Sequence, residues 1–215
     1  MSWDYQSRSG SGSSWWAYQP LPRFALTASS TPTVEPVSSS DFKQHARIEI
    51  PDDDSLVLTY IESARRETEN KLDRTLINTT WVLRLDEFPC GNNPLPMPRP
   101  PLSSVTSITY TDTAGTSTTW ASSNYTVDAN SEPGRIYPAY GQTWPSTRSV
   151  PNAVVITYVA GYGSSATSVP GGIRAYILRK AAELYEQREM STAGVISEFK
   201  DVDGLLDPYR WGSVV

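Results

Sequence analysis

Neighbouring carboxylates are the first residues in this chain that could do chemistry, as a metal site or an acid/base pair. Asp52, Asp53 and Asp54 are consecutive, but they stand where a long predicted helix begins, and the positive end of a helix dipole favours negative charge. We interpret them as capping residues of that helix. Asp201 and Asp203 open a segment that resembles the start of a calcium loop, but no Glu stands at the twelfth position, so a turn is the better interpretation.

Other reactive residue types are scarce. His45 is the only histidine and Cys90 the only cysteine among 215 residues, so a four-ligand Cys/His zinc site and an intrachain disulfide are both impossible. Nothing in the sequence supports a Ser-His-Asp triad. Glycines Gly161 and Gly163 precede a predicted helix, but the Lys-Ser/Thr pair of a phosphate-binding loop does not follow. We therefore predict no enzymatic activity, no cofactor and no metal.

Aromatic and proline side chains in the middle of the chain allow two interpretations each. The aromatic set could be a flat sugar-binding platform or the core of a small β unit with few aliphatic residues, and we favour the core. Its members are Trp120, Tyr125, Tyr137, Tyr140 and Trp144. The prolines between Pro94 and Pro101 include PxxP spacings that an aromatic groove could bind, but an extended, sheet-incompatible crossing explains them better.

Composition excludes further classes of function. The formal charge is -5 and the pI about 4.9, so no global basic field exists to hold a nucleic acid. Charged residues make up 19%, below the roughly one quarter that is usual in soluble domains, and 17 prolines, 13 glycines and abundant Ser and Thr indicate many turns and loops. No stretch approaches the roughly 18 apolar residues of a membrane span, and the N-terminus lacks an apolar signal region. We expect a protein made and used in a cytoplasm-like compartment, without membrane contact.

Hydrophobic periodicity predicts the elements that hold these residues. A helical period favours helices at 41–48, 52–76 and 170–190, and between them a period of two with turn signals favours a β insertion at 79–160. The long helix should bury one face, which consists of Val57, Tyr60, Ile61, Ala64, Thr68 and Leu72. The fold class predicted is α+β, a small helical body with two main antiparallel helices, short helices, an inserted antiparallel β domain and extended N- and C-terminal arms.

The two ends of the chain are predicted to be arms. Residues 1–34 form a flexible, Ser/Gly-rich arm whose aromatic side chains, including Trp15 and Trp16, either dock on another subunit or belong to a disordered tail. Residues 191–215 form a tail with an apolar, aromatic tip, which either docks on a partner or folds back on its own subunit. The tip consists of Leu205, Leu206, Pro208, Tyr209, Arg210 and Trp211.

Several stretches between residues 35 and 210 together are similar to the head-tail connector family, also called adaptor or head-completion proteins, of tailed double-stranded DNA phages. Each stretch alone is weak, and their order and spacing carry the resemblance. They are Glu35-Pro36-Val37, His45-Ala46-Arg47-Ile48, Asp53-Asp54, Thr80-Trp81-Val82-Leu83, Leu85-Asp86-Glu87-Phe88-Pro89, Pro101-Leu102-Ser103-Ser104-Val105, Ser107-Ile108-Thr109-Tyr110, Tyr125-Thr126-Val127-Asp128, Pro133-Gly134-Arg135-Ile136, Trp144-Pro145, Tyr158-Val159-Ala160-Gly161-Tyr162, Val169-Pro170, Leu184-Tyr185-Glu186-Gln187-Arg188-Glu189, Leu205-Leu206 and Pro208-Tyr209-Arg210. The arm at the N-terminus lies outside the family pattern.

The resemblance implies a structural protein of the virion neck, assembled in the host cytoplasm, with residues 35–190 as the connector domain. It implies a ring of about twelve copies under the portal protein. The ring would extend the DNA channel, carry the tail or a tail-completion (tail terminator) protein, and let genomic DNA pass without sequence-specific binding. We predict that the C-terminal tip, with Trp15 and Trp16, contacts the portal or neighbouring subunits. The alternatives are a tail-completion or baseplate component, or a carbohydrate-binding module.

Overall fold

The computed structural model describes residues 24–49, 53–186 and 204–210, and within them the chain has the predicted α+β fold. The α-helices are α1 (Ser39–Ala46), α2 (Asp54–Leu72) and α3 (Gly171–Glu186). The strands are β1 (Phe24–Ala28), β2 (Thr79–Leu85), β3 (Leu95–Pro96), β4 (Leu102–Thr111), β5 (Ser117–Trp120), β6 (Tyr125–Asp128), β7 (Arg135–Pro138) and β8 (Val154–Ala160).

Local hydrogen bonds mark both ends of α1 and the C-terminal end of α2, but the predicted capping by Asp53 is wrong. The Ser38 hydroxyl oxygen accepts a hydrogen bond from the backbone N–H of Asp41 at 3.1 Å, which caps α1. Arg47 and Asp73 end α1 and α2 in the left-handed conformation, and each returns its N–H to a carbonyl of the last turn. Asp53 stands at the N-cap of α2 without a side-chain capping bond, and its carboxylate instead accepts the Tyr185 hydroxyl at 2.6 Å. Asp52 lies outside the described residues.

The helical core lies between α2 and α3. Of the predicted face of α2, all members but the half-buried Tyr60 are buried, as the periodicity predicted. Helix α3 contributes Ile173, Tyr176, Ile177 and Ala181 to the same cluster. Phe42 of α1 is fully buried there too, so the short helix closes one side of the pair. Burial of these apolar side chains is what holds the helices together.

Two antiparallel sheets form the β region. The larger sheet has the strand order β1-β2-β8-β4-β5, and the smaller one has the order β3-β7-β6. Strand β2 is the first strand after α2, and β8 is the last strand before α3. The first residue of β2, Thr79, pairs with the last residue of β8, Ala160. Gly161 follows this pair with a φ of 139°. A Cβ there would lie 2.6 Å from the backbone nitrogen of Asn78, in the loop between α2 and β2. Only glycine therefore allows the chain to pass so close to that loop.

A second core, the β core, contains a cluster of stacked aromatic side chains. Phe88 stacks on Trp144 with ring centroids 4.9 Å apart, and Trp120 lies 5.0 Å from Trp144. Trp120 and Trp144 are 6% and 9% exposed, so they form core as favoured above rather than a sugar platform. Tyr125 packs against the same core, whereas Tyr137 is half-buried outside it and Tyr140 is fully exposed on a loop, so the prediction is wrong for these last two.

The structure differs from the predictions in two strands. Strand β1 lies inside residues 1–34, so the prediction of a flexible arm is wrong for Phe24–Ala28, which pair with β2. Strand β3 lies inside the proline stretch, where Leu95 pairs with Ile136 and is fully buried, so the description of that stretch as sheet-incompatible is wrong for this pair. An edge position explains it, because proline is tolerated where its missing N–H faces away from the ladder.

Candidate assembly surface

The C-terminal segment 204–210 lies against the helical core of its own subunit. Leu206 is fully buried among the side chains of α2 and α3, and Leu205 and Tyr209 are half-buried. Gly172, in the first turn of α3, makes room for this contact, because a Cβ there would stand 3.1 Å from Cε2 of Tyr209 and 3.2 Å from the carbonyl oxygen of Leu205. Pro208 and Arg210 remain exposed, so the segment shows an apolar side to the body and a polar side to solvent.

A buried arginine holds this segment in place. Arg74, just after α2, has a side chain that is 6% exposed. Its Nε donates to the carbonyl oxygen of Tyr209 at 2.7 Å, its Nη1 to the hydroxyl of Tyr162 at 3.3 Å, and its Nη2 to Oε2 of Glu132 at 2.5 Å. We call these four residues the Arg74 cluster. It joins the helical body, the β insertion and the C-terminal segment at a single guanidinium, whose planar fork suits several acceptors at once.

Electrostatics agree with a structural role for the Arg74 cluster. Burial acts to lower the pKa of Arg74, but the hydrogen bond to Glu132 and the nearby charges outweigh it and leave the pKa raised, so the guanidinium stays charged. Burial raises the pKa of the Tyr162 hydroxyl, which keeps it neutral. A charged guanidinium therefore sits beside a neutral Tyr162 hydroxyl, which suits a structural contact.

A second arginine, Arg65 of α2, fixes the segment that precedes α1. Its Nε donates to Glu35 at 2.7 Å and its Nη1 to Glu69 at 2.8 Å. Glu69 in turn accepts the backbone N–H of Leu76 at 3.0 Å, which secures the loop from α2 to β2. Burial raises the pKa of Glu35 in spite of the arginine beside it. Both arginines thus bind chain segments to α2 rather than a ligand.

Residues 39–131, less than half of the chain, match the family model described as phage gp6-like head-tail connector protein. Over these residues the chain is similar to this head-tail connector family. No curated protein matches the chain.

Solved structures share the fold of this chain over most of its length. A chain in the neck of an empty gene transfer agent particle, computed with C6 symmetry, matches with a TM-score of 0.73 and 22% identity, over 89% of this chain and 97% of that one. A chain in the neck of the native particle, computed with C12 symmetry, matches with a TM-score of 0.71 and 22% identity over the same shares. A chain in the virion of the native particle matches with a TM-score of 0.70 and 22% identity, over 88% and 97%.

The predicted contact residues of this chain are only partly brought together. Leu206 and Tyr209 pack on the helical core and Leu205 is half-buried, while Pro208 and Arg210 are exposed. Trp15, Trp16 and Trp211 lie outside the described residues. For residues 204–210 the structure shows the folded-back arrangement, and contact with a portal stays a prediction.

Sequence reasoning missed Arg74, Glu132 and Tyr162, which hold the C-terminal segment. They are separated from their partners by 58, 88 and 135 positions along the chain, so no local pattern marks them. The available signal was an arginine, Arg74, that directly follows the long amphipathic helix, because an arginine buried at such a place needs acceptors.

The residues first considered for chemistry lie apart. His45 is exposed on α1 and Cys90 is exposed in the loop after β2. Asp54 pairs with Lys43, which explains one of the three consecutive carboxylates as part of the helix packing. Within the described ranges no group of three His, Cys, Asp or Glu side chains could hold a metal ion. No helix in those ranges is long and apolar enough to cross a membrane.

Proposed function

We propose that this chain is a structural subunit of a virion neck, a connector that joins the head to the tail. The observation that carries the proposal is the family match over residues 39–131, which covers α1, α2 and the strands from β2 to β6 but not α3. The fold agrees with it, because chains in the necks of gene transfer agent particles match over 97% of their length. Two cores tied together by buried arginines suit a rigid wall element.

We propose further that about twelve copies form a ring, in line with the C12 and C6 symmetries of the similar necks. The ring would stand beneath the portal protein, receive a tail-completion or tail terminator protein on its other side, and surround the DNA. At -5 per chain, about twelve copies would carry about sixty negative charges (12 × 5), which disfavours DNA sticking to the channel wall. Replacing channel-facing carboxylates with lysine should then slow DNA ejection, and an unchanged rate would count against this part.

Portal contact through the C-terminal tip can be tested without unfolding the body. Leu206 is buried in its own subunit, so truncating the tail would confuse lost binding with lost stability. Pro208 and Arg210 are exposed and therefore better targets. We expect Arg210→Glu to weaken binding to purified portal, with Arg66→Glu, an exposed residue of α2, as the matched control. Equal binding by both variants would remove the tip from the portal interface.

The decisive test of the function is a null mutant of the gene, with the lysate examined by electron microscopy. Free tails beside heads that have failed to retain DNA are the expected result, and expression of the gene in trans should restore joined particles. Complete particles that fail to adsorb would favour the carbohydrate-binding alternative. That alternative would have to rely on Tyr140 and other exposed residues, because Trp120 and Trp144 are buried.

A further inference from the structure

The two outer strands of the five-stranded sheet are short and carry none of the side chains that commonly protect sheet edges. Strands β1 (Phe24–Ala28) and β5 (Ser117–Trp120) contain neither a charged residue nor a proline. Exposed edges normally carry such residues, because open backbone groups otherwise pair with another chain. The smaller sheet shows the protection, with Pro96 in β3 and Asp128 in β6. The difference between the two sheets of one molecule indicates that the edges of the larger one are covered by a partner.

The open backbone groups on both edges can be assigned. Next to β1, the N–H of Ser29 donates to the carbonyl of Thr80, so by alternation the groups of Phe24, Leu26 and Ala28 point away from β2. Next to β5, the N–H of Asp112 donates to the carbonyl of Thr116.

By the same alternation, the backbone groups of Ser117 and Thr119 point away from β4. The structure records no backbone hydrogen bond on either outer side within the residues it describes. Each edge therefore presents two or three outward N–H and C=O positions over a similar length of strand.

Strand directions restrict the partner. Every neighbouring pair in the order β1-β2-β8-β4-β5 is antiparallel, so β1 and β5 run in the same direction at opposite ends of the sheet. Two copies joined through identical edges would form a closed dimer with antiparallel strands. Two copies related by rotation about a ring axis instead bring β5 of one against β1 of the next as a parallel pair, and each copy keeps one edge for a further neighbour.

We propose that β5 of one copy pairs in parallel with β1 of the next copy, so that the five-stranded sheets continue from subunit to subunit around the ring. This inference rests on the ring proposed above and names the strands that close it. The partner is a second copy of this chain, because only that partner supplies the complementary edge in the same direction. The binding mode is strand addition, in which main-chain hydrogen bonds supply the contact.

Cross-linking of the full chain tests the pairing. In a Cys90→Ser background, Ala28→Cys and Thr119→Cys are combined, since both side chains are exposed. A short bis-maleimide reagent should then produce a covalent ladder beyond the dimer on a denaturing gel. Either cysteine alone can give no more than a dimer, and a strong dimer from Ala28→Cys alone would overturn the proposal in favour of identical-edge pairing.

Proline variants provide the second measurement. Ala28→Pro and Thr119→Pro each delete one outward N–H while leaving the inward ladder intact, and Ala28→Ser and Thr119→Ser retain it as matched controls. By mass photometry we expect the proline variants to raise the concentration for half-assembly about tenfold, from one lost hydrogen bond at each interface. The serine controls should assemble like the parent chain.

The outcomes separate this inference from the neck function. Rings that form without a ladder, and whose assembly the prolines leave unchanged, would overturn the strand pairing while the ring stands. A chain that stays monomeric at every concentration would overturn the pairing as well. The neck function would then still be decided by the null mutant and its particles.

Discussion

Replacing Arg74 with methionine removes a side chain that joins the helical body, the β insertion and the C-terminal segment. Methionine keeps much of the length and apolar contact of arginine but has no donor and no charge. The variant therefore deletes three contacts of the Arg74 cluster while filling most of the space. The two main partners lose the arginine at different cost. Glu132 is 42% exposed and can bind water instead, whereas the Tyr209 carbonyl is part-buried and loses its hydrogen bond from Arg74.

The expected loss follows from the geometry of each contact. The charged bond to the Tyr209 carbonyl, at 2.7 Å, contributes about 1.5–3 kcal/mol. The ion pair with Glu132 contributes about 1 kcal/mol or less, since one partner is exposed to solvent. The 3.3 Å bond to Tyr162 adds about 0.5 kcal/mol. We expect the free energy of unfolding to fall by about 3 kcal/mol.

Urea denaturation followed by circular dichroism measures this loss, with Arg66→Met as the matched control. Arg66 pairs with Glu62 on the exposed side of α2, where the two side chains are 64% and 46% exposed, so its removal should cost no more than about 0.5 kcal/mol. Limited proteolysis should also cut the C-terminal segment of Arg74→Met faster. If both methionine variants lose equal stability, the Arg74 cluster does not hold the molecule together as argued.

Three further predictions concern packing, backbone and pH. Leu206→Ala should lower the free energy of unfolding by about 2–5 kcal/mol and the half-buried Leu205→Ala by less, measured by urea denaturation. Gly161→Ala should cost at least about 2 kcal/mol, seen as a lower Tm, because its Cβ would meet backbone at 2.6 Å. The hydrogen bond from the Ser131 hydroxyl is the main cause that lowers the pKa of Asp128. The ionised Asp128 therefore stabilises the fold above the ordinary aspartate pKa, and this stabilisation disappears as pH falls through the folded-state pKa. Asp128→Asn should reduce the loss of Tm between pH 7 and pH 3.

The elements that could be predicted from the sequence are those with a periodic pattern of buried residues. The buried residues of α2 recur every three or four positions, and strand β2 buries Leu83 and Leu85 while Arg84 between them stays half-exposed. Such one-sided patterns arise because each element faces a single core. The three helices and the strands other than β1 and β3 could therefore be predicted in type and order, and the described helix ends differed by only a few residues.

Strand β1 could not be predicted because it is almost entirely exposed. Four of its five residues are exposed, and only Leu26 packs on the β core, so its sequence shows no alternation. The Arg74 cluster could not be predicted for another reason, since its contacts join residues that only the tertiary fold brings together. Local pattern and long-range contact are separate kinds of information, and the C-terminal segment depends on the second.

Because Thr79 pairs with Ala160, the β region is an insertion whose length can change. The chain enters and leaves it on adjacent strands, whose paired Cα atoms stand about 5 Å apart. Residues can be added or removed between these two points without changing the distance that the flanking helices must bridge. A chain of this design can therefore acquire a new outer surface through insertions in one region, while α2 and α3 keep their packing.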